Sequence, residues 1–228
     1  MQTQLGDAIL ASPEGREAEE ILRSCVHCGF CNATCPTYQL LGDERDGPRG
    51  RIYFLKMLLE GTEISERTQL HLDRCLSCRA CETSCPSGVQ YARLADYGRA
   101  IVEEKVPRPW PERLQRLAMR KLMAYPWRFG PLLAAARLVR PLLPAHLKSK
   151  VPARSKAEPW PSATHGRKML ILDGCVQPAM APSTNAAAAK VLDKLGISLI
   201  RAEGAGCCGA LSYHLAAHEE GKDFMRRT

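Results

Sequence analysis

The chain has 228 residues, eleven of them cysteine, and a formal charge of +8; that length holds two modest domains, each with a core of its own. No apolar run approaches the roughly 20 residues of a membrane-spanning helix. Residues 1–24 are polar and acidic, without the basic start and apolar stretch of a secretory signal, so the cysteines read as reduced thiols or metal ligands before disulphides.

The first element in chain order is Cys25-x2-Cys28-x2-Cys31-x3-Cys35-Pro36, repeated fifty residues later as Cys75-x2-Cys78-x2-Cys81-x3-Cys85-Pro86. Three cysteines three residues apart let one tight loop place three thiolates on corners of a cubane iron–sulphur cluster. The fourth, followed by proline, points away, and in two-cluster ferredoxins it ligates the other cluster. One 4Fe-4S cluster is therefore assigned to Cys25, Cys28, Cys31 and Cys85, and a second to Cys75, Cys78, Cys81 and Cys35. A zinc site would instead show separated pairs of cysteines. An iron–sulphur pair moves electrons one at a time, so the chemistry expected is electron transfer.

The 39 residues between Cys35 and Cys75 are too many for the compact ferredoxin and read as helix. Ile52, Leu55, Leu58 and Leu59 recur at helical spacing after the turn at residues 47–50, and Gly61 sits where a C-cap would. A second helical stretch, Glu66 to Arg74, leads into Cys75. Residues 1–104 are thus expected to form an α-helical ferredoxin domain with both cluster motifs, as in electron-transfer subunits of respiratory dehydrogenases.

Residues 105–168 form a basic, proline-rich connector. They hold fifteen Lys and Arg against Glu112 and Glu158, a net +13, so the rest of the chain carries −5. Ten of the sixteen prolines and all three tryptophans lie here, with leucine-rich pieces at Arg113–Met123 and Phe129–Leu143. Short helices packing on the flanking domains, with solvated arginines, are one reading; a cationic surface for anionic lipid or an acidic partner is the other. No nucleic-acid-binding module is present, and none is expected as a partner.

From residue 169 the pattern changes to strand, helix, strand. Met169–Leu172 leads into Asp173-Gly174-Cys175, Ser183 is expected to cap a helix that stops at Gly196, and Ile197–Ile200 leads into Gly204-Ala205-Gly206-Cys207-Cys208-Gly209. A parallel unit would gather the cysteines at the strand C-termini, where open α/β sheets place ligands. Cys175, Cys207 and Cys208 are a candidate additional redox site. The glycine pattern at 204–209 matches a dinucleotide fingerprint but lacks the acidic residue on a following strand. The chain ends at Thr228 within the helix expected after Tyr213, so residues 169–228 read as an incomplete domain of a truncated chain. The whole is expected to be mainly α, with a partial α/β domain at its end.

Three stretches carry a resemblance: CVHCGFCNATCPTYQLLGDERDGPRGRIY, HLDRCLSCRACETSCPSGV, and STNAAAAKVLDKLGIS with GAGCCGALSYHLAAHEEG. The spacing Cys175-x31-Cys207-Cys208-Gly209 resembles the CCG domain of the heterodisulphide-reductase type. Behind a helical ferredoxin, it resembles the iron–sulphur subunits of the glycolate oxidase (glycolate dehydrogenase) family. That likeness implies flavin-bearing partner subunits, carrying FAD, that oxidise glycolate to glyoxylate, and a relay from them toward quinone. It implies a cytoplasmic chain, peripheral at the membrane face, that takes part in an enzyme without acting on glycolate alone. No residue is assigned a catalytic role; His27 and His71 are read as hydrogen-bonding or solvated. The alternatives are the same relay for lactate or glycerol-3-phosphate dehydrogenase, or a disulphide reductase acting at Cys175, Cys207 and Cys208.

Overall fold

A computed structural model describes the chain from Met1 to Thr228. It divides into two compact units, Met1–Pro109 and Trp110–Thr228. No helix is long and apolar enough to cross a membrane.

The first unit is helical: α1 (Asp7–Leu10), α2 (Pro13–Ser24), α3 (Phe30–Ala33), α4 (Pro36–Leu41), α5 (Pro48–Leu59), α6 (Glu66–Asp73), α7 (Ala80–Thr83) and α8 (Tyr91–Lys105). The Ser12 hydroxyl accepts the Gly15 N–H at 3.0 Å, and Pro13 takes the first helical position, so α2 starts on two standard signals. The spacing read in the sequence is the buried face of α5, where Ile52, Leu55, Leu58 and Leu59 all turn inward. α5 ends as expected of a glycine stop. Gly61 is left-handed at φ +89°, its N–H donates to Leu58 O at 3.1 Å and that of Thr62 to Met57 O at 2.9 Å, the paired bonds of a Schellman motif.

The core lies where α5 packs against α6 and α8 and α2 packs against α8. Leu22, Leu55 and Leu94 are wholly buried there, with Leu72 and Val102 nearly so, and Cys25 and Cys81 belong to the same cluster. The cysteine motifs are therefore anchored on the unit's interior.

Gly50 fixes how α5 meets the turn Glu44–Asp46. A Cβ at this position would stand 2.2 Å from the Glu44 carbonyl oxygen. Gly50→Ala gains about 1 kcal/mol of helix propensity, but the obstacle is backbone and cannot rotate away. The variant is expected to be less stable by about 1–3 kcal/mol, seen as a lower thermal midpoint than wild type; an equal or higher midpoint would contradict the packing.

The second unit opens with α9 (Trp110–Met123), α10 (Pro126–Val139) and α11 (Ala145–Lys148), then runs β1 (Arg167–Ile171), α12 (Gln177–Met180), α13 (Ser183–Lys194), β2 (Ile197–Arg201), α14 (Ala210–His214) and α15 (His218–Arg227). β1 and β2 pair in parallel with Met169 opposite Leu199, so a β–α–β unit is present. Ser183 does not cap α13. It is the first helical residue, Pro182 holds the N-cap position without a side-chain bond, and Ala181 O accepts the Thr184 N–H at 3.2 Å in its place.

The helix expected after Tyr213 is two helices, broken where Ala216 turns left-handed at φ +62°. The basic helices share a unit with the sheet. Ala124 is buried with Cys207 and Phe224, and Tyr125 packs edge-on to Phe224 with ring centroids 5.5 Å apart. Nor are all the arginines solvated. Arg137 donates to Pro152 O at 3.1 Å and Ala179 O at 3.2 Å, and Arg140 to Val151 O at 2.9 Å.

Candidate metal centres

The two motifs adopt the same backbone course. In the first, His27 and Gly29 are left-handed at φ 60° and 89°; in the second, Ser77 and Arg79 match them at φ 52° and 61°. Left-handed residues on both sides of the middle cysteine bend the loop into a concave turn whose N–H groups can face an anionic group. Three of the four are not glycine, and each such residue costs about 1–2 kcal/mol, so the surroundings impose the shape. Cys35 stands at the N-cap of α4, ahead of Pro36, and Cys85 precedes Pro86 at the matching point of the repeat.

The two halves meet through α3 and α7. Thr34 and Ser84, equivalent in the repeat, face each other with hydroxyls 3.0 Å apart, and Thr34 also donates to Ala80 O at 3.2 Å. This contact carries each fourth cysteine to the other motif. Cys25, Cys28, Cys31 and Cys85, together with Cys81, line one cleft. Cys35, Cys75, Cys78 and Cys81 line a second. Cys81, Tyr91 and Pro48 border both clefts, so the two share a wall.

Each cleft is bordered by its set of four cysteines, with Cys81 common to both. No three His, Cys, Asp or Glu side chains draw close enough to hold a single ion, whereas zinc with Zn–S near 2.3 Å needs its sulphurs gathered on one point. A donor set of thiolates around a shared space fits a polynuclear iron–sulphur group. Burial pushes the Cys31 thiol up to about 11 and the Cys81 thiol up to about 12, with neighbouring cysteines adding to both, and raises Cys25 likewise. Holding Cys25, Cys31 and Cys81 as thiolates therefore calls for a cationic group beside them. Cys28 and Cys78 are exposed, which leaves one corner of each site at the surface.

A buried polar network beside the second cleft was not visible in the sequence. Asp46 is wholly buried; its carboxylate accepts from His71 Nδ1 at 3.0 Å and Arg74 Nη1 at 2.8 Å. Arg51, 1% exposed, donates from Nε to His71 O at 2.7 Å and from Nη1 to Thr37 Oγ1 at 3.1 Å. The Thr37 hydroxyl has two acceptors for one hydrogen, Asp46 O at 2.8 Å and Cys35 Sγ at 3.2 Å. Arg99 clasps the second loop, donating to Cys75 O at 2.7 Å and Ser77 Oγ at 2.8 Å. Tyr91 is buried beside Cys75; burial first, then the Cys75 charge, keeps its phenol protonated. Of the two histidines, His71 is buried in this network and His27 lies 3.2 Å from Arg49 O.

In the second unit, Cys175 follows β1 and Cys207 follows β2, and the two pack together with Ala124 and Phe224. Burial, then Cys207, pushes the Cys175 thiol up to about 11. Gly209 N–H donates to Cys207 Sγ at 3.4 Å, and Cys208 is exposed. Gly209 serves packing. Its φ is +78°, and a Cβ would stand 2.2 Å from Gly221 O in α15.

Comparison with known proteins is consistent with both cysteine patterns. Residues 21–89 match the family model of the 4Fe-4S dicluster domain, and residues 169–228 that of the cysteine-rich domain. The chain is 56% identical over 222 residues to the glycolate oxidase iron-sulfur subunit of Escherichia coli, covering 97% of this chain and 54% of that protein. It is 30% identical over 240 residues to a probable glycolate oxidase iron-sulfur subunit of Bacillus subtilis, covering 93% and 54%. A succinate dehydrogenase iron-sulfur subunit of Coxiella burnetii is 28% identical over 91 residues, covering 37% and 39%. The chain thus spans about half the length of its two glycolate oxidase relatives. No solved structure matches it.

Proposed function

We propose that this chain carries electrons within a multisubunit glycolate dehydrogenase, holding two 4Fe-4S clusters. Cys25, Cys28, Cys31 and Cys85 hold the first, and Cys75, Cys78, Cys81 and Cys35 the second. The observation that carries this reading is the sorting of eight cysteines, crosswise between two sequence repeats, around two clefts that share a wall. Each cluster, when bound, supplies a one-electron carrier.

The residues of the chain make that carrier pair usable. Ile52 and Val89 close the first cleft on its apolar side and Ala92 and Ala95 the second, excluding water from the sulphurs. Cys81 and Tyr91 stand between the clefts, which keeps the two sites adjacent. Exposed Cys28 and Cys78 mark the edges where an electron can enter and leave. Conversion of glycolate to glyoxylate releases two electrons and two protons; that step belongs to partner subunits bearing FAD, and the onward acceptor to the quinone pool. The basic segment suits a peripheral position on the cytoplasmic membrane face. Cys175, Cys207 and Cys208 are a further redox site of the same chain.

The test is anaerobic purification followed by iron and acid-labile sulphide analysis. About eight of each per chain is the expected result, with reduction by glycolate only when the flavin subunits are added. Bound zinc with iron near zero would reject the reading.

A further inference from the structure

The two sites are alike in backbone but not in charge. Beside the first, Arg49 is neutralised by Glu44, Nε to Oε1 at 2.5 Å, and one cation is left, the N-terminal ammonium, which donates to Cys25 O at 2.6 Å. Around the second stand Arg51, Arg74 and Arg99, with Asp46 the carboxylate among them, while Arg79 is taken up by Glu82 at 2.7 Å. Two buried donors at this cleft lack hydrogen-bond partners: Arg51 Nη2 and the Tyr91 hydroxyl. Arg51 Nη2 is ion-paired with Asp46 Oδ1 at 3.6 Å but makes no hydrogen bond to it. A buried donor without an acceptor is costly, and both residues border the cleft formed by Cys35, Cys75, Cys78 and Cys81.

We infer that Arg51 and Tyr91 make this second site the higher-potential member of the pair, so that electrons rest there. The inference rests on the two-cluster reading above. One-electron reduction adds one negative charge and no proton. Arg51, held in a dry interior, offsets that charge more strongly than the solvated Arg49–Glu44 pair can. The Tyr91 O–H has the Cys75 sulphur as its charged neighbour and can donate to it. Both are positioning residues: they act on the cysteine ligands and touch no substrate.

The experiment is a dithionite titration of the anaerobically prepared chain, with redox mediators, followed by low-temperature EPR. Wild type is expected to show two midpoints. Arg51→Gln should lower the higher one by about tenfold in the reduction equilibrium, about 59 mV for one electron. Tyr91→Phe should move the same midpoint in the same direction by roughly threefold. It removes one hydroxyl and keeps the ring that packs in the core, so it remains informative should Arg51→Gln fail to fold. Glu44→Gln should raise the lower midpoint. A single midpoint in wild type, or a Tyr91→Phe protein whose higher midpoint stays in place, overturns the inference while about eight irons per chain leave the cluster reading standing. Iron near zero overturns both.

Discussion

Cys35→Ser is expected to empty the site built on Cys75, Cys78 and Cys81, forty residues and more downstream, and to leave the site of Cys25, Cys28 and Cys31 loaded. Iron should fall from about eight to about four per chain, and the surviving EPR signal should be that of the first site. The reason is the contact of α3 with α7, which delivers Cys35 into the second cleft. Cys85→Ser should show the mirror result. Loss of the first site on Cys35→Ser would mean that each motif keeps its own fourth cysteine.

Asp46→Ala is expected to destabilise the first unit by about 3–5 kcal/mol, the usual result of breaking a buried ion pair from one side. Asp46 loses bonds to His71 and Arg74, and Arg51 is left as a buried charge with no counterion. Arg74 gives the control. It is 41% exposed, so water can replace its bond, and Arg74→Ala should cost about 1 kcal/mol or less. Thermal unfolding of the holoprotein compares the two; equal midpoints would mean that burial of Asp46 is not what matters.

The eight cysteines and the helices around them were legible because their signals are local. Spacing of three residues defines the loops, and Ile52, Leu55, Leu58 and Leu59 mark one face of α5 by period alone. The charged run Asp43–Arg51 shows the limit. In sequence it offers only the turn at residues 47–50, yet Asp46 and Arg51 are among the most buried side chains in the chain. Their partners, His71 and Arg74, are twenty residues or more away, so only the fold pairs them. Ser183 failed as a cap because the preceding turn supplied a backbone acceptor first, and the break at Ala216 carries no glycine to announce it. The left-handed Arg79 and Ser77 were equally silent, since repeat symmetry, not side-chain preference, sets their backbone.

The crossed arrangement also has a consequence for how the chain can assemble. On the proposed ligation, the stretch from Cys35 to Cys75 lies wholly inside the stretch from Cys25 to Cys85, so the two closures are nested and neither threads the other. An inner ring can close first and an outer ring follow without passing a chain end through it. Each closure restricts the unfolded chain as a disulphide of the same span would, by about 4 kcal/mol. Once the inner ring has formed, the outer one spans fewer free residues and closes at a smaller entropic loss. Closing the inner ring therefore eases the outer one without being required for it, and wild-type chains caught with a single loaded site should carry it at Cys75, Cys78, Cys81 and Cys35.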